Sequence, residues 1–219
     1  MPKTATAATE ERAPVQERAG SKRRTILSAA QAVFLDRGYR GASMDEVAAR
    51  AQVSKVTVYK YFSDKHSLFI AVVTSAIAEA EEGTQSIVDH LGESDDIEND
   101  LRIFARRHIV DVIQPHLILM RRMIIAEASR FPELARAWHR RGPERAHTTL
   151  AKQIKQLADR GILIVSDPLL AAQQLNYLIL SVPLNEAMFG GPDRRYTRSQ
   201  LHRYADEAVR VFLAAYTPR

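Results

Sequence analysis

The chain has 219 residues, 31 Lys/Arg against 26 Asp/Glu, and no cysteine. Its length suits one or two domains, and the missing cysteine excludes disulfides, thiolate metal sites and cysteine nucleophiles. No run of ~18 apolar residues argues for a membrane span, and MPKTATAATEERAPVQER has no apolar signal segment, so the expected location is the cytoplasm.

The excess charge is unevenly placed. Residues 1–70 hold 12 Lys/Arg and 7 Asp/Glu, whereas residues 71–219 hold 19 of each. A basic first third beside a neutral remainder is the footprint of an end that meets a polyanion. A charged, solvated surface explains the same numbers.

Residues 1–20 have no period and read as a flexible arm. From Ser21, Ile26, Ala30, Val33 and Phe34 recur at helical spacing, and Gly38 is a natural stop. Ser43-Met44-Asp45-Glu46 has the form of a capping box, with Ser43 and Glu46 exchanging hydrogen bonds with each other's backbone amides. It opens a short helix to about Ala51, with Val47 and Ala48 inward. After a turn at Gln52-Val53, Ser54 caps a second short helix to about Tyr61, and Ser63 is placed to cap a longer one. Two short helices across a tight turn read as a helix-turn-helix, with Val47, Ala48, Val53, Val58 and Phe62 facing its core. The expected divisions are the arm at 1–20, a helix-turn-helix domain at 21–66 and a larger helical domain at 67–219.

The remainder is also helical, with no strand run. Helices are expected over 97–113 and 116–129, then a short one from Phe131-Pro132 that Gly142-Pro143 breaks. Pro143 then stands at the first position of a helix ending before Gly161. Asp167-Pro168 starts an apolar helix to about Phe189, and Thr197-x-x-Gln200 is a last capping box. Pro183, inside the apolar helix, is expected to kink it.

In a helix-turn-helix the second helix enters the major groove. Here that helix turns Lys55, Val56, Thr57, Tyr59 and Lys60 outward. Lysine can donate to guanine, and valine and threonine methyls can meet the thymine methyl. Tyrosine and lysine can equally hold phosphates.

The stretch GYRGASMDEVAARAQVSKVTVYKYFSDKHSLF resembles the N-terminal domain of tetracycline-repressor (TetR) family regulators. The resemblance covers residues 22–70 through Gly38-Tyr39, Ser43, Val47-Ala48-x-x-Ala51, Val53-Ser54, Thr57-Val58-Tyr59-x-Tyr61-Phe62 and Lys65. It departs at Gln52, where glycine is usual, and at Val56, where a small residue or proline is usual. The resemblance implies groove or base contacts for Lys55, Val56, Thr57, Tyr59 and Lys60 and phosphate contacts for Ser43, Tyr59, Tyr61 and Lys65, and the cluster Lys22-Arg23-Arg24 is also placed to grip phosphate. FPELARAWHRRGP and DPLLAAQQL are similar to AefR-like C-terminal domains. That implies an all-α homodimer formed through residues 167–189 and 197–216, a palindromic operator and a small-molecule effector.

Pocket-lining candidates are Phe104, His108, Met120, Met123, Trp138, His147, Tyr177 and Asn185, residue types that suit an adaptable apolar pocket and an ordinary core alike. The sequence has no phosphate-binding glycine loop, H-E-x-x-H or G-x-S-x-G, and its single Glu-x-x-His, Glu144 to His147, lacks the second copy that a di-iron bundle needs, so no enzyme, cofactor or metal is expected. The expected function is a ligand-released repressor. The alternative is a DNA-binding regulator controlled by a protein partner or by its own abundance.

Overall fold

The computed structural model describes residues 12–88, 90–191 and 195–218, with side chains described for all of these except 12–19, 77 and 79–87. It is all-α, with no strand among the described residues. Ten helices follow in order: α1 (Arg12–Gly41), α2 (Met44–Arg50), α3 (Lys55–Tyr61), α4 (Lys65–Val88), α5 (Ile97–Val112), α6 (Pro115–Ala126), α7 (Pro132–His139), α8 (Arg145–Asp159), α9 (Pro168–Phe189) and α10 (Arg198–Tyr216). Two compact units divide at Thr74/Ser75, within α4 and slightly beyond the expected 66/67 boundary. The helix α1 starts at Arg12, so residues 12–20, expected to be loose arm, are helical; residues 1–11 lie outside the described residues.

In the first unit, Ile26, Ala30, Val33 and Phe34 of α1 are buried, as their spacing predicts. Phe34, Tyr39 and Phe69 form an aromatic trio with ring centroids 4.8–6.0 Å apart. Burying each large side chain of this kind contributes roughly 1.5–3 kcal/mol. Gly38 takes φ +68, which ends the regular part of α1 where the sequence placed the stop. The Ser43 hydroxyl accepts from the Glu46 amide at 3.1 Å. The Glu46 carboxylate instead meets Arg37 Nε at 3.3 Å, so only the serine half of the expected capping box is seen.

The turn after α2 is a Schellman closure. Val53 N–H donates to the Ala48 carbonyl at 3.0 Å and Gln52 N–H to the Ala49 carbonyl at 3.2 Å. Such a closure needs a left-handed residue at its centre, and Gln52 supplies it at φ 55. At α4 the cap is Asp64 rather than Ser63: Asp64 Oδ1 accepts from the Ser67 amide at 2.7 Å.

In the second unit α10 packs on α5 and α9, and α9 packs on α8. The core they share includes Leu101, Phe104, Ile109, Leu157, Leu175, Ile179, Leu201 and Phe212. Asp167 Oδ1 accepts from the amides of Leu169 and Leu170, each at 3.0 Å, and the Thr197/Gln200 box is complete. Pro183 is buried inside α9, and the helix runs on through it to Phe189. The other proline expectation is corrected. Gly142-Pro143 does not break the chain into two helices; residues Arg140–Glu144 form a π turn that carries α7 into α8. The wider turn accommodates a residue that has no N–H to donate, at the position where a tighter helix would require one.

Candidate nucleic-acid interface and ligand pocket

The outward surface of α3 is built by its own cap. The Ser54 hydroxyl accepts from the Thr57 amide at 3.1 Å and shares a 2.8 Å hydrogen bond with the Thr57 hydroxyl. With Val58 and Phe62 buried in the core, the helix is rotated so that Lys55, Val56, Tyr59 and Lys60 stand in solvent. Val56 is 79% exposed at the centre of this face. Thr57 and Tyr61 are half-buried at the edges of this face.

Two lysines are already engaged. Lys55 Nζ pairs with Asp45 Oδ1 at 2.7 Å, and that hydrogen bond and charge raise the lysine pKa. Both groups are well exposed, so solvent screens the pair and it contributes little stability. Lys65 is different. Its ammonium donates to the carbonyls of Ala42 (2.9 Å) and Arg40 (3.2 Å) and lies over the Tyr39 ring. It closes the end of α1 rather than projecting beside Lys55 and Lys60. Lys22, Arg23 and Arg24 are exposed, and the Arg23 guanidinium sits 5.5 Å from the centre of the Phe62 ring, at the end of α3.

The second unit contains a cavity of about 210 Å³ among α5, α6, α7, the π turn, α8 and α9. Phe104, His108, Trp138, His147 and Tyr177, all expected pocket residues, line it. The other three do not. Met120 and Met123 are buried outside the lining, and Asn185 is exposed on α9, its amide donating to the Ser181 carbonyl at 2.7 Å. Methionines on an apolar helix served the core, the reading their spacing equally allowed.

Sequence reasoning missed Arg121, Asn176 and the π-turn residues Gly142 and Pro143, all of which line the cavity. The available signal for Arg121 was an arginine inside the apolar run HLILMRRMII. His108 Nε2 lies 2.8 Å from Asn176 Oδ1, while Nδ1 is buried without a partner. Burial pushes the His108 pKa down, the Asn176 bond and the Asp111 charge push it up, and His147 lowers it. His147 Nε2 is likewise buried and unpartnered, and burial with the charge of His139 lowers its pKa against Glu144. Both rings are therefore neutral near pH 7. Arg121 is half-buried, and desolvation lowers its pKa against a raising effect of Tyr177.

An all-α chain with a short, exposed second helix after a Schellman turn and a cavity in a separate helical unit belongs to the helix-turn-helix transcriptional regulators. Residues 26–72 match the family described as bacterial regulatory proteins, tetR family, and residues 99–218 match the AefR-like transcriptional repressor, C-terminal domain. The chain is a member of the TetR family of transcriptional regulators with an AefR-like C-terminal domain.

A TetR-family transcriptional regulator from Mesorhizobium loti, of known crystal structure, is 42% identical, with a TM-score of 0.85 over 92% of this chain and 99% of that one. The flavonoid-responsive regulator FrrA is 29% identical, with a TM-score of 0.70 over 91% of this chain and 99% of that one. The HTH-type transcriptional activator FasR of Mycolicibacterium smegmatis is 50% identical over 62 residues, 28% of this chain and 26% of that protein. Matches to the first curated relatives span only 26–37% of those proteins' lengths.

Proposed function

We propose that this regulator is a homodimeric, ligand-responsive repressor that binds a palindromic operator through α3 and releases it when a small molecule occupies the cavity of the second unit. The observation that carries the DNA half is the exposed face of α3. Val56, Tyr59 and Lys60 are held in solvent by a helix whose other side is locked into the core by Val58. Lys55 exchanges Asp45 for a base edge, Tyr59 and Lys60 meet base or phosphate, and the Lys22-Arg23-Arg24 cluster adds phosphate contacts.

The homodimer reading rests on α9. Ala171, Leu175 and Ile179 are buried against its neighbours, yet Leu170, Leu178 and Val182, four or eight residues apart, are exposed on another face. A helix apolar on both sides seeks a second partner, and a two-fold protein suits two half-sites. Release follows if the ligand favours a conformation that binds DNA less well, with a coupling of about 1–3 kcal/mol. The reading places the protein in the cytoplasm, without catalysis.

Selection of bound duplexes from a random pool by the purified protein tests this. A palindromic consensus supports it. No enrichment at modest salt overturns the assignment of α3.

A further inference from the structure

The strongest unassigned feature is the charge of the cavity. Its described lining holds three arginines (Arg121, Arg141 and Arg145) and two histidines, and no aspartate or glutamate. Arg141 and Arg145 are exposed, whereas Arg121 is half-buried and forms no ion pair among the described residues. The guanidinium stays charged whatever its surroundings and carries five donors in a planar fork that matches a carboxylate. A partly desolvated cation without a counter-ion is costly, and the cavity it faces is otherwise mainly apolar, with Phe104, Trp138, Leu150 and Leu180 among its walls.

Two further polar groups in the same cavity lack partners. With the His108 Nε2 proton given to Asn176 Oδ1, Nδ1 presents a bare lone pair, and His147 Nε2 is also bare. Both nitrogens are covered too closely for a water-sized group in the cavity to reach them, so Arg121 is the group left to meet a ligand's charge. The volume, about 210 Å³, corresponds to roughly seven waters at ~30 Å³ each, or on the order of ten non-hydrogen atoms.

From this geometry we infer that the effector is a small amphipathic organic acid, its carboxylate held by Arg121. The inference rests on the ligand-responsive half of the proposed function and names the ligand's class. Apolar walls hold the body of the molecule.

The test uses the chain's sole tryptophan, Trp138, which lines the cavity and reports occupancy by its fluorescence. Full-length protein is titrated with phenylacetate, 4-hydroxyphenylacetate and hexanoate, each beside its neutral amide, with calorimetry as the second readout. At least one acid is expected to bind about tenfold or more tightly than its amide, as loss of a charged hydrogen bond predicts. R121Q, shown folded by circular dichroism, is expected to erase that preference, and R121K to keep part of it. Amides binding as well as acids, no acid binding at millimolar concentration, or R121Q retaining the preference each overturn the inference. So does an R121Q variant that changes oligomeric state but not acid affinity, since Arg121 would then be an interface residue. Binding of amides with release of selected DNA would leave the ligand-responsive reading standing while the acid assignment falls. Failure to select DNA with acid binding intact would do the reverse.

Discussion

The Lys65 ammonium donates to the Ala42 carbonyl across 2.9 Å, tying the first turn of α4 to the segment that leaves α1. A residue that the family resemblance offered as a phosphate contact thus spends its donors on backbone carbonyls, with the Tyr39 ring beneath it. Lys65→Met is expected to lower stability by about 1–2 kcal/mol in chemical denaturation, since it leaves carbonyls of a partly buried turn without their donor. The slope of log affinity against log salt for selected DNA should stay the same. A slope shallower by about 0.9 would mean that Lys65 also neutralises a phosphate.

Gln52 holds φ 55, the left-handed position that the Schellman turn between α2 and α3 requires. A side chain there costs on the order of 1 kcal/mol relative to glycine. Gln52→Gly should therefore raise the unfolding free energy by up to about that amount, despite its greater entropy when unfolded. A loss of stability would show that the Gln52 side chain makes a contribution larger than its backbone strain.

Arg106 grips Asp206 with two hydrogen bonds of 2.6 and 2.7 Å, joining α5 to α10. The bonded guanidinium holds the Asp206 pKa below its usual 3.8, against a weaker opposing effect of burial. A depressed carboxylate contributes stability that is present above the unfolded value and disappears as pH falls through the folded one. Asp206→Asn should cost about 0.5–1 kcal/mol at neutral pH, the small value expected of a partly solvated pair. The gap between variant and parent should close below pH 4. A pH-independent gap would mean the loss comes from packing.

His108 and His147 act in the opposite direction. Their folded pKa values lie below the ordinary 6.5, so the unfolded chain takes up protons first as pH falls. Stability should decline from about pH 6.5 downward and level off once the folded rings protonate. A folded His108→Gln variant, which cannot titrate, should show a shallower decline between pH 7 and 5. An unchanged slope would place the titration elsewhere.

On α3, Lys55→Ala should relax sequence preference at one position of each half-site, and Tyr59→Phe should weaken all sequences alike. Sequencing of selected duplexes distinguishes these outcomes. An unchanged consensus for Lys55→Ala removes it from base readout, and an altered one for Tyr59→Phe moves its hydroxyl from phosphate to base.

What the sequence determined by itself is what short-range chemistry decides. Ser43, Ser54, Asp167 and Thr197 cap helices through bonds to amides two or three residues away. The apolar period of α1, α3 and α10 selects the buried face, and hence which side of α3 is left exposed. Gln52 stood out only as a departure from the family pattern, and its φ of 55 shows why glycine is usual there. Only the tertiary structure decided the rest. The sequence points to Ser63 as the cap of α4, and the structure gives that place to Asp64 through its bond to the Ser67 amide. Periodicity marks a residue as buried but not what it is buried against. It could not distinguish Met120, in the core, from Trp138, on the cavity wall. The cavity joins Phe104, Arg121, His147 and Asn176 from four different helices, and the pairing of His108 with Asn176 spans 68 residues. Such proximity is set by how the helices pack together, and no local pattern in the chain encodes it.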